Sequence, residues 1–283
     1  MPPGTAFAGA HSGYSEAEAC IFGVPYDRTA SFRAGAREAP GAIRKASYAF
    51  ETSHFEHGRL RDLALHDYGD CDDFFTPAEM ADEIRFAMGP AISAGKFTVV
   101  MGGDHSVSIP VIGAYEDVSV ISIDAHLDSR REYMGLPDSH ACVMRRAADR
   151  HGLDNVHVVG VRSISEEELD DPEPVPYTSA YEVHERGVGP VIDGILESLG
   201  RERVYVTLDI DGVDPAFAPG TGTPEPFGLT PLDVKKIINA VGDRLVGFDV
   251  VEVCPPYDPT GATSVLAARL IKEALAVFTK SSG

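Results

Sequence analysis

The sequence is poor in basic residues and rich in acidic ones. Of its 283 residues, 24 are Lys or Arg and 44 are Asp or Glu, so the formal net charge is −20 at pH 7. Nucleic-acid phosphates and anionic membrane surfaces are bound by clustered basic side chains. We therefore expect neither nucleic acid nor a membrane among the partners. Six of the 24 basic residues are lysine, an imbalance that resembles proteins of salt-loving organisms, although an ordinary acidic enzyme is the alternative interpretation.

Membrane and export signals are also missing from the sequence. No apolar run approaches the roughly 20 residues that a membrane span requires. The first residues, MPPGTAFAGAHSGYSEAEA, have neither a basic start nor an apolar segment, so we expect no signal peptide. The four cysteines lack CxxC spacing, which predicts reduced thiols, with Cys20 and Cys142 in the interior. Together these features predict a cytoplasmic protein.

Hydrophobic residues make up 43% of the chain, which excludes intrinsic disorder. Seven apolar runs have the length of a strand, and each is nearly continuous instead of alternating, as in strands that are buried on both faces of a parallel sheet. The predicted strands are Ala19–Val24, Leu63–His66, Phe97–Met101, Val118–Ile123, Val156–Val161, Val204–Leu208 and Leu245–Val251.

Helix signals lie between these runs. Proline at a first helical position, glycine after a last turn and helical spacing of apolar residues mark four segments. They are a helix opened by Thr76-Pro77 and closed by Gly95, one from Pro190 to Leu199 capped by Gly200, one from Thr230-Pro231 to about Val241, and one over Ala262–Phe278. The alternation of strands and helices predicts an α/β fold. Because no linker interrupts it, we expect one domain over residues 1–283, with a less regular segment over residues 1–18.

Carboxylates and imidazoles follow three of the predicted strands. They are Asp104 and His105, then Asp124, His126 and Asp128, then Asp209, Asp211 and Asp214. Ligands of such sheets bind beyond the carboxyl ends of the strands, so these groups are candidates for one site. In extended chain, alternate residues point to one side. This spacing predicts that the three side chains of the second group project together, as do the first two of the third.

Several carboxylates at close range repel one another unless cations neutralise them. The pattern therefore predicts a metal site, with two ions and bridging carboxylates. A site with at least four of these Asp and both His, and without Cys, favours Mn²⁺ over a thiolate-bound Zn²⁺. The imidazoles disfavour a Ca²⁺ or Mg²⁺ site. Composition leaves Zn²⁺, Co²⁺ and Fe²⁺ open.

The motifs GGDHS, DAHLD and TLDIDGVDP resemble the three metal motifs of the ureohydrolases, the arginase/agmatinase family. Over residues 19 to 280, further segments match: GVPYDRTASFRAGAREAPGAIRKAS, HDYGD, SHACVMRRA, GVRS, PGTGTPEPFGLTP and FDVVEVCPPYDPTGATSVLAA. Two of them, SHACVMRRA and PGTGTPEP, look most like archaeal agmatinases. The resemblance implies an arginase-like fold, a three-layer α/β/α arrangement with a mainly parallel sheet of about eight strands. It also implies a homo-oligomer, a trimer or hexamer.

The resemblance further implies two Mn²⁺ ions per subunit and a hydroxide that bridges them. His105 and Asp128 would bind one ion, His126 and Asp211 would bind the other, and Asp124 and Asp209 would bridge both. The hydroxide would attack the carbon of a substrate guanidinium. Asp128 would accept its proton, His140 would shuttle a proton, and Glu252 would bind the guanidinium. Structural or surface roles are expected for His11, His54, His57, His66, His151, His157 and His184.

The expected reaction is the hydrolysis of agmatine to putrescine and urea. The loop of residues 129–139, SRREYMGLPDS, lacks the Asn/Thr-rich pattern with which arginases recognise an amino acid. Leu127, Phe227 and Cys254 depart from the agmatinase pattern, and the last two lie in loops that could shape substrate access. The alternatives are arginase, guanidinobutyrase, aminopropylagmatinase, formimidoylglutamase, or a non-catalytic metal- or polyamine-binding protein. A two-metal phosphoesterase is disfavoured because no Gly-rich phosphate-binding loop accompanies the motifs.

Overall fold

The computed structural model describes residues 5–51, 53–56, 58–72 and 74–281. Eight strands form one parallel sheet, and two short strands form a separate antiparallel pair. In chain order the strands are β1 (Ala19–Gly23), β2 (Ser53–His54), β3 (Gly58–Arg59), β4 (Leu65–Asp70), β5 (Phe97–Met101), β6 (Ser119–Ile123), β7 (Val156–Val161), β8 (Tyr177–Ser179), β9 (Val204–Asp209) and β10 (Leu245–Val251).

The strand order in the large sheet is β4-β1-β5-β10-β9-β6-β7-β8. All seven predicted strands are present, although β4 begins at Leu65 and extends to Asp70 through polar residues. Being an edge strand, it pairs on one side only, with β1, and therefore needs no continuous apolar run. The edge strand β8 was not predicted, because three residues carry too little periodicity to be recognised.

The helices are α1 (Ala39–Ser47), α2 (Pro77–Ser93), α3 (Ser108–Gly113), α4 (Val143–His151), α5 (Glu166–Leu169), α6 (Ala180–Arg186), α7 (Val188–Ser198), α8 (Pro231–Val241) and α9 (Ala262–Ser281). Helices α2 and α8 begin as predicted, each after a threonine whose hydroxyl accepts a backbone hydrogen bond in a capping box. The predicted bounds of α7 were wrong. This helix starts two residues before Pro190, and its last cap is Leu199 instead of Gly200.

The helices cover both faces of the sheet. Buried side chains of α2, α3 and α4 pack against residues such as Phe22 and Val120 on one face. Those of α1, α6, α7, α8 and α9 pack against residues such as Ile21 and Val206 on the other. Successive residues of each central strand thus enter different cores, which explains the continuous apolar runs. The three-layer α/β/α prediction is confirmed.

The carboxyl ends of the four central strands are where the candidate site residues lie. In the order β5, β10, β9 and β6, these adjacent strands lead into His105, Glu252, Asp209 and Asp124. All four cysteines are buried and free, which confirms the interior positions of Cys20 and Cys142. Within the part of the chain that the structure describes, no helix is long and apolar enough to span a membrane.

Candidate metal centre and active site

His105 occupies the middle of a cluster of buried carboxylates. Its Nδ1 atom lies 3.0 Å from Asp128 Oδ2, 3.2 Å from Asp124 Oδ2 and 3.5 Å from Asp209 Oδ2. The loop that carries it passes close to other backbone, because a Cβ at Gly103 would lie 1.6 Å from the carbonyl oxygen of Tyr26. Glycine is therefore required two residues before His105.

A second group adjoins the first through Asp124. His126 Nδ1 lies 3.1 Å from Asp211 Oδ2 and 3.7 Å from Asp124 Oδ1. Potential ligand atoms of Asp124, His126 and Asp211 lie within 4.8 Å of one another, and the same holds for His105, Asp124 and Asp209. Two adjacent ligand groups that share one carboxylate could hold two cations with Asp124 between them.

The charge of the cluster fits cations. Asp124 Oδ2 is buried and accepts no hydrogen bond, although His105 Nδ1 is nearby. Across the described ranges, the side-chain carboxylates of Asp124, Asp128, Asp209 and Asp211 form ion pairs only with histidines, and none with Lys or Arg. Buried carboxylates without a compensating charge are unfavourable. Oxygen donors with two imidazole nitrogens are a suitable set for a divalent transition metal.

The pKa values in the metal-free chain also reflect the close approach of these buried carboxylates. Burial, followed by repulsion from Asp124, raises the pKa of Asp128 to about 7. Burial and the neighbouring Asp211 raise the pKa of Asp209 well above its usual range. Burial alone would lower the pKa of His105, but its close contacts with the negative Asp124 and Asp128 outweigh burial and raise it. A divalent cation would replace the protons that these groups otherwise retain.

The backbone reaches this arrangement by turns, not by the strand alternation that we expected. Asp128 has a left-handed φ of 48°, which re-aims its side chain toward His105. Asp209 accepts a hydrogen bond from the Asp211 N–H at the start of a 3₁₀ turn over Ile210–Gly212. The expected convergence of the side chains is present, but the extended-chain explanation for it was wrong.

Glu252 follows β10 and turns into the same site. It has a left-handed φ of 60°, its N–H donates to the Gly103 carbonyl, and its Oε1 accepts from the His105 N–H at 2.8 Å. Burial raises the pKa of this carboxyl well above its usual range, and the charge of Asp104 adds to the shift. A cationic ligand would favour its ionised form.

His140 precedes α4 and contacts the chain that follows β1. Its Nδ1 is 3.2 Å from Thr29 Oγ1, and its Nε2 is 3.4 Å from Ser31 Oγ. The ring packs edge-on against Tyr133, with centroids 5.5 Å apart. Burial, assisted by the positive His105, lowers the pKa of His140 to about 4 in the metal-free chain, so its imidazole is neutral at pH 7.

A cavity of about 330 Å³ joins these groups. His126, Asp128, His140, Asp209 and Glu252 line it, whereas the fully buried His105, Asp124 and Asp211 do not. Four other residues of its wall were assigned no role from the sequence: Ser31, Tyr133, Glu168 and Thr223. The Ser165–Glu168 capping box indicates only a helix start, and Ser31 meets His140 across 109 residues. Arg130, from the loop of residues 129–139 noted in the sequence, also lines the cavity.

Other singled-out residues lie outside the cluster. Asp104 accepts hydrogen bonds from Thr29 and Ser106, and Asp214 accepts from the N–H groups of Ala216 and Gly228. Phe227 and Cys254 do not line the 330 Å³ cavity. The Cys254 side chain is buried and Phe227 is 68% exposed, and the influence of these two loops on substrate access stays a prediction.

The remaining histidines fit structural or surface roles in the described ranges. His54 bonds Glu273, His66 bonds the Ser12 carbonyl, and His157 pairs with Thr178. His184 bonds the Gly228 carbonyl, His151 is buried, and His11 is exposed. His57 lies outside the described residues.

The fold and the site define a three-layer α/β/α protein with a candidate centre for two metal ions, and comparison with known proteins identifies its family. The Arginase family matches residues 17–277. The chain belongs to this family. It is 37% identical over 287 residues to the agmatinase of Bacillus subtilis, covering 98% of this chain and 97% of that protein.

The chain is also similar to a human enzyme and to an archaeal protein of known structure. The human mitochondrial guanidino acid hydrolase is 32% identical, with 93% of this chain and 79% of that protein covered. The structure of the agmatine ureohydrolase of Thermoplasma volcanium superposes with a TM-score of 0.94 at 38% identity, covering 98% of this chain and 95% of that one. The arginase-like fold is therefore confirmed.

Proposed function

We propose that this protein hydrolyses agmatine to putrescine and urea. One observation carries the proposal: a single cavity brings the carboxylate of Glu252 after β10, a neutral histidine and the buried carboxylate–imidazole cluster together. A guanidinium is planar and cationic, and its carbon is a poor electrophile, so its hydrolysis requires all three. The agmatinase names of similar proteins support the choice of substrate.

The cluster is proposed to hold two Mn²⁺ ions. His105 and Asp128 would bind one, His126 and Asp211 the other, and Asp124 and Asp209 both. Bound there, the ions would supply a water of lowered pKa, and hence a nucleophile at neutral pH. The shared position of Asp124 in both ligand groups and its unpartnered buried oxygen support this arrangement.

The protein's own groups then bind the substrate and move protons. Glu252 pairs with the guanidinium through charge-assisted hydrogen bonds and holds its carbon over the cluster. Asp128 accepts the proton that water loses as its oxygen bonds to that carbon. His140 takes up that proton from Asp128 and passes it to the nitrogen of the breaking C–N bond, so that putrescine leaves as an amine and the carbon remains in urea.

A substrate panel tests the proposal. Purified protein incubated with Mn²⁺ should release urea from agmatine with a kcat/KM at least tenfold above that for arginine, 4-guanidinobutyrate or aminopropylagmatine. Urea release from another guanidine, with none from agmatine, would assign a different ureohydrolase activity. No urea from any guanidine, with fewer than two bound ions per chain, would instead favour a non-catalytic binding protein.

A guanidino acid is the second candidate substrate, because Arg130 lines the cavity and could bind a carboxylate. That side chain already lies over the Tyr133 ring and 3.9 Å from Glu167, and Glu168 adds a carboxylate to the same wall. The prevailing charge therefore favours the amine end of agmatine.

We also infer that the protein is a cytoplasmic homo-oligomer, a trimer or hexamer. Buried free thiols support a reducing compartment, and the family resemblance supports the assembly. Dependence on a salty cytoplasm stays a prediction from the net charge of −20.

A further inference from the structure

Thr29 joins a buried carboxylate to the histidine of the proposed mechanism. Its Oγ1 donates to Asp104 Oδ2 at 2.9 Å, and its N–H donates to the same oxygen at 2.9 Å. On the other side, Oγ1 accepts from the His140 N–H at 3.1 Å and lies 3.2 Å from His140 Nδ1. Thr29 and Asp104 are both buried, so water does not compete with these bonds.

The hydroxyl of Thr29 has one hydrogen, and the geometry assigns it to Asp104. That carboxylate accepts from two backbone N–H groups, those of Thr29 and Ser106, and from the Thr29 and Ser106 hydroxyls. Each of its two oxygens accepts one backbone N–H and one hydroxyl, an arrangement that favours the ionised carboxylate, and an ionised carboxylate has no hydrogen to give. Both lone pairs of Thr29 Oγ1 are then directed toward donors on His140.

This assignment constrains the imidazole. If Nδ1 of His140 carried no hydrogen, its lone pair would face a lone pair of Thr29 Oγ1 at 3.2 Å. With a hydrogen on Nδ1, the contact becomes a hydrogen bond. We propose that Thr29, held by Asp104, is a positioning residue that keeps the hydrogen of neutral His140 on Nδ1 and leaves Nε2 unprotonated at the cavity.

The consequence concerns the proton transfer, and to that extent the inference rests on the proposed function. Nε2 lies near Ser31, which lines the cavity. An unprotonated Nε2 can take up the proton released from water and pass it to the leaving amine. In the other tautomer, Nε2 already holds a hydrogen and the free lone pair points away from the cavity, toward Thr29.

Ser139 is the competing partner, because its hydroxyl lies 3.3 Å from His140 Nδ1. If Ser139 donated to Nδ1, the hydrogen would be on Nε2 instead. Three variants separate the two assignments: Thr29→Val removes the hydroxyl at similar size, Thr29→Ser retains it, and Ser139→Ala removes the competitor.

The first measurement does not involve turnover. In the metal-free full-length protein with ¹⁵N-labelled histidine, at a pH where His140 is neutral, ¹⁵N NMR should show a protonated Nδ1 and an unprotonated Nε2, with His140→Asn assigning the signals. Thr29→Ser and Ser139→Ala should keep this pattern, and Thr29→Val should lose it. A protonated Nε2 in the wild type, or a tautomer that changes in Ser139→Ala and not in Thr29→Val, would overturn the inference.

The second measurement uses the Mn²⁺-loaded protein and agmatine. Thr29→Val should lower kcat about tenfold or more with KM within about twofold, and Thr29→Ser should restore most of it. Equal metal content and circular dichroism would exclude misfolding. An unchanged kcat in Thr29→Val with an altered tautomer would refute the role in proton transfer. Wild-type protein that shows the Nδ1–H tautomer but cleaves no guanidine would refute the proposed function and leave the tautomer assignment intact.

Discussion

Two histidine–carboxylate clusters in this protein have similar ligand types, but only one of them has cationic side chains that balance its carboxylates. The candidate metal centre contains His105 and His126 with four aspartates. The other cluster joins β2 and α9 through His54, the nearby Glu56 and Glu273, whose potential ligand atoms also lie within 4.8 Å of one another. Sequence composition would not distinguish them.

Cationic side chains make the difference. Glu273 is 2.7 Å from Arg269 and 2.8 Å from His54, and Lys235 lies 2.5 Å from Glu56. Two carboxylates thus face two permanent cations, so their charge is balanced without a metal. In the candidate metal centre only imidazoles oppose four carboxylates among the described residues. We infer that a deficit of positive charge in a buried cluster, more than its ligand types, indicates a metal site.

The largest expected effect comes from removing a shared ligand. Asp124→Ala and Asp209→Ala should lower urea release by roughly three orders of magnitude or more, because several kcal/mol of charge stabilisation are lost with the ions. Metal analysis after dialysis should find fewer than two Mn²⁺ per chain in both variants.

Two control variants accompany this measurement. His140→Ala should retain both ions while losing about 100-fold or more in kcat, and Glu273→Gln should retain both ions and the activity. Two ions per chain in Asp124→Ala, or metal loss in Glu273→Gln, would contradict the distinction between the clusters.

The excess negative charge of the metal-free centre should have a smaller effect, on the pH dependence of the free energy of unfolding. In the folded chain the pKa of Asp128 is about 7, raised from 3.8. Between pH 4 and 7 the folded state therefore retains a proton that the unfolded state has lost, and stability falls as the pH rises. Since asparagine cannot ionise, metal-free Asp128→Asn should gain up to about 1.4 kcal/mol per pH unit over wild type in this window.

Urea denaturation in EDTA at pH 5, 6 and 7 measures this difference. Comparing the two proteins cancels the opposite contributions of His140 and His157, whose pKa values burial lowers to about 4. With Mn²⁺ added, the sign should reverse, because the variant lacks a ligand. A difference that is independent of pH, or that favours wild type as the pH rises without metal, would refute the charge-deficit interpretation.

The smallest effect concerns the balanced cluster. Glu273→Gln should lower the free energy of unfolding by about 2 kcal/mol, because a buried charge is removed while Arg269 can partly turn to water. Glu56→Gln is the matched control, since its side chain is 47% exposed and its loss should cost at most about 1 kcal/mol. Added Mn²⁺ should stabilise both variants as much as wild type. A failure of Mn²⁺ to stabilise Glu273→Gln would show that this cluster also binds the metal.

Local chemistry explains which elements could be predicted. The starts of α2 and α8 depend on a threonine, a proline and an acidic residue within four positions, so a short window contains all the information. The edge strand β8 depends on pairing with β7, and it was missed. The left-handed conformation of the site residues Asp128 and Glu252 could not be predicted from local residue spacing, because it is imposed by the site.

The candidate site residues themselves were named from the sequence, but on two different grounds. Polar groups after buried strands indicated Asp124, Asp209 and their neighbours, whereas the roles of His140 and Glu252 came from family resemblance. Their metal-binding and catalytic roles remain proposals. Neither route found Thr29, whose contacts to Asp104 and His140 cross 75 and 111 residues.

By itself, the sequence determined the α/β class, the helix caps and which strand ends carry carboxylates, because these follow from side-chain patterns within a few residues. Only the tertiary structure decided that β5, β10, β9 and β6 are neighbours, and so that their ends form one cluster. Strand order depends on crossovers and core packing over the whole chain. The deficit of positive charge in that cluster is likewise tertiary, since it depends on which side chains are buried together away from water.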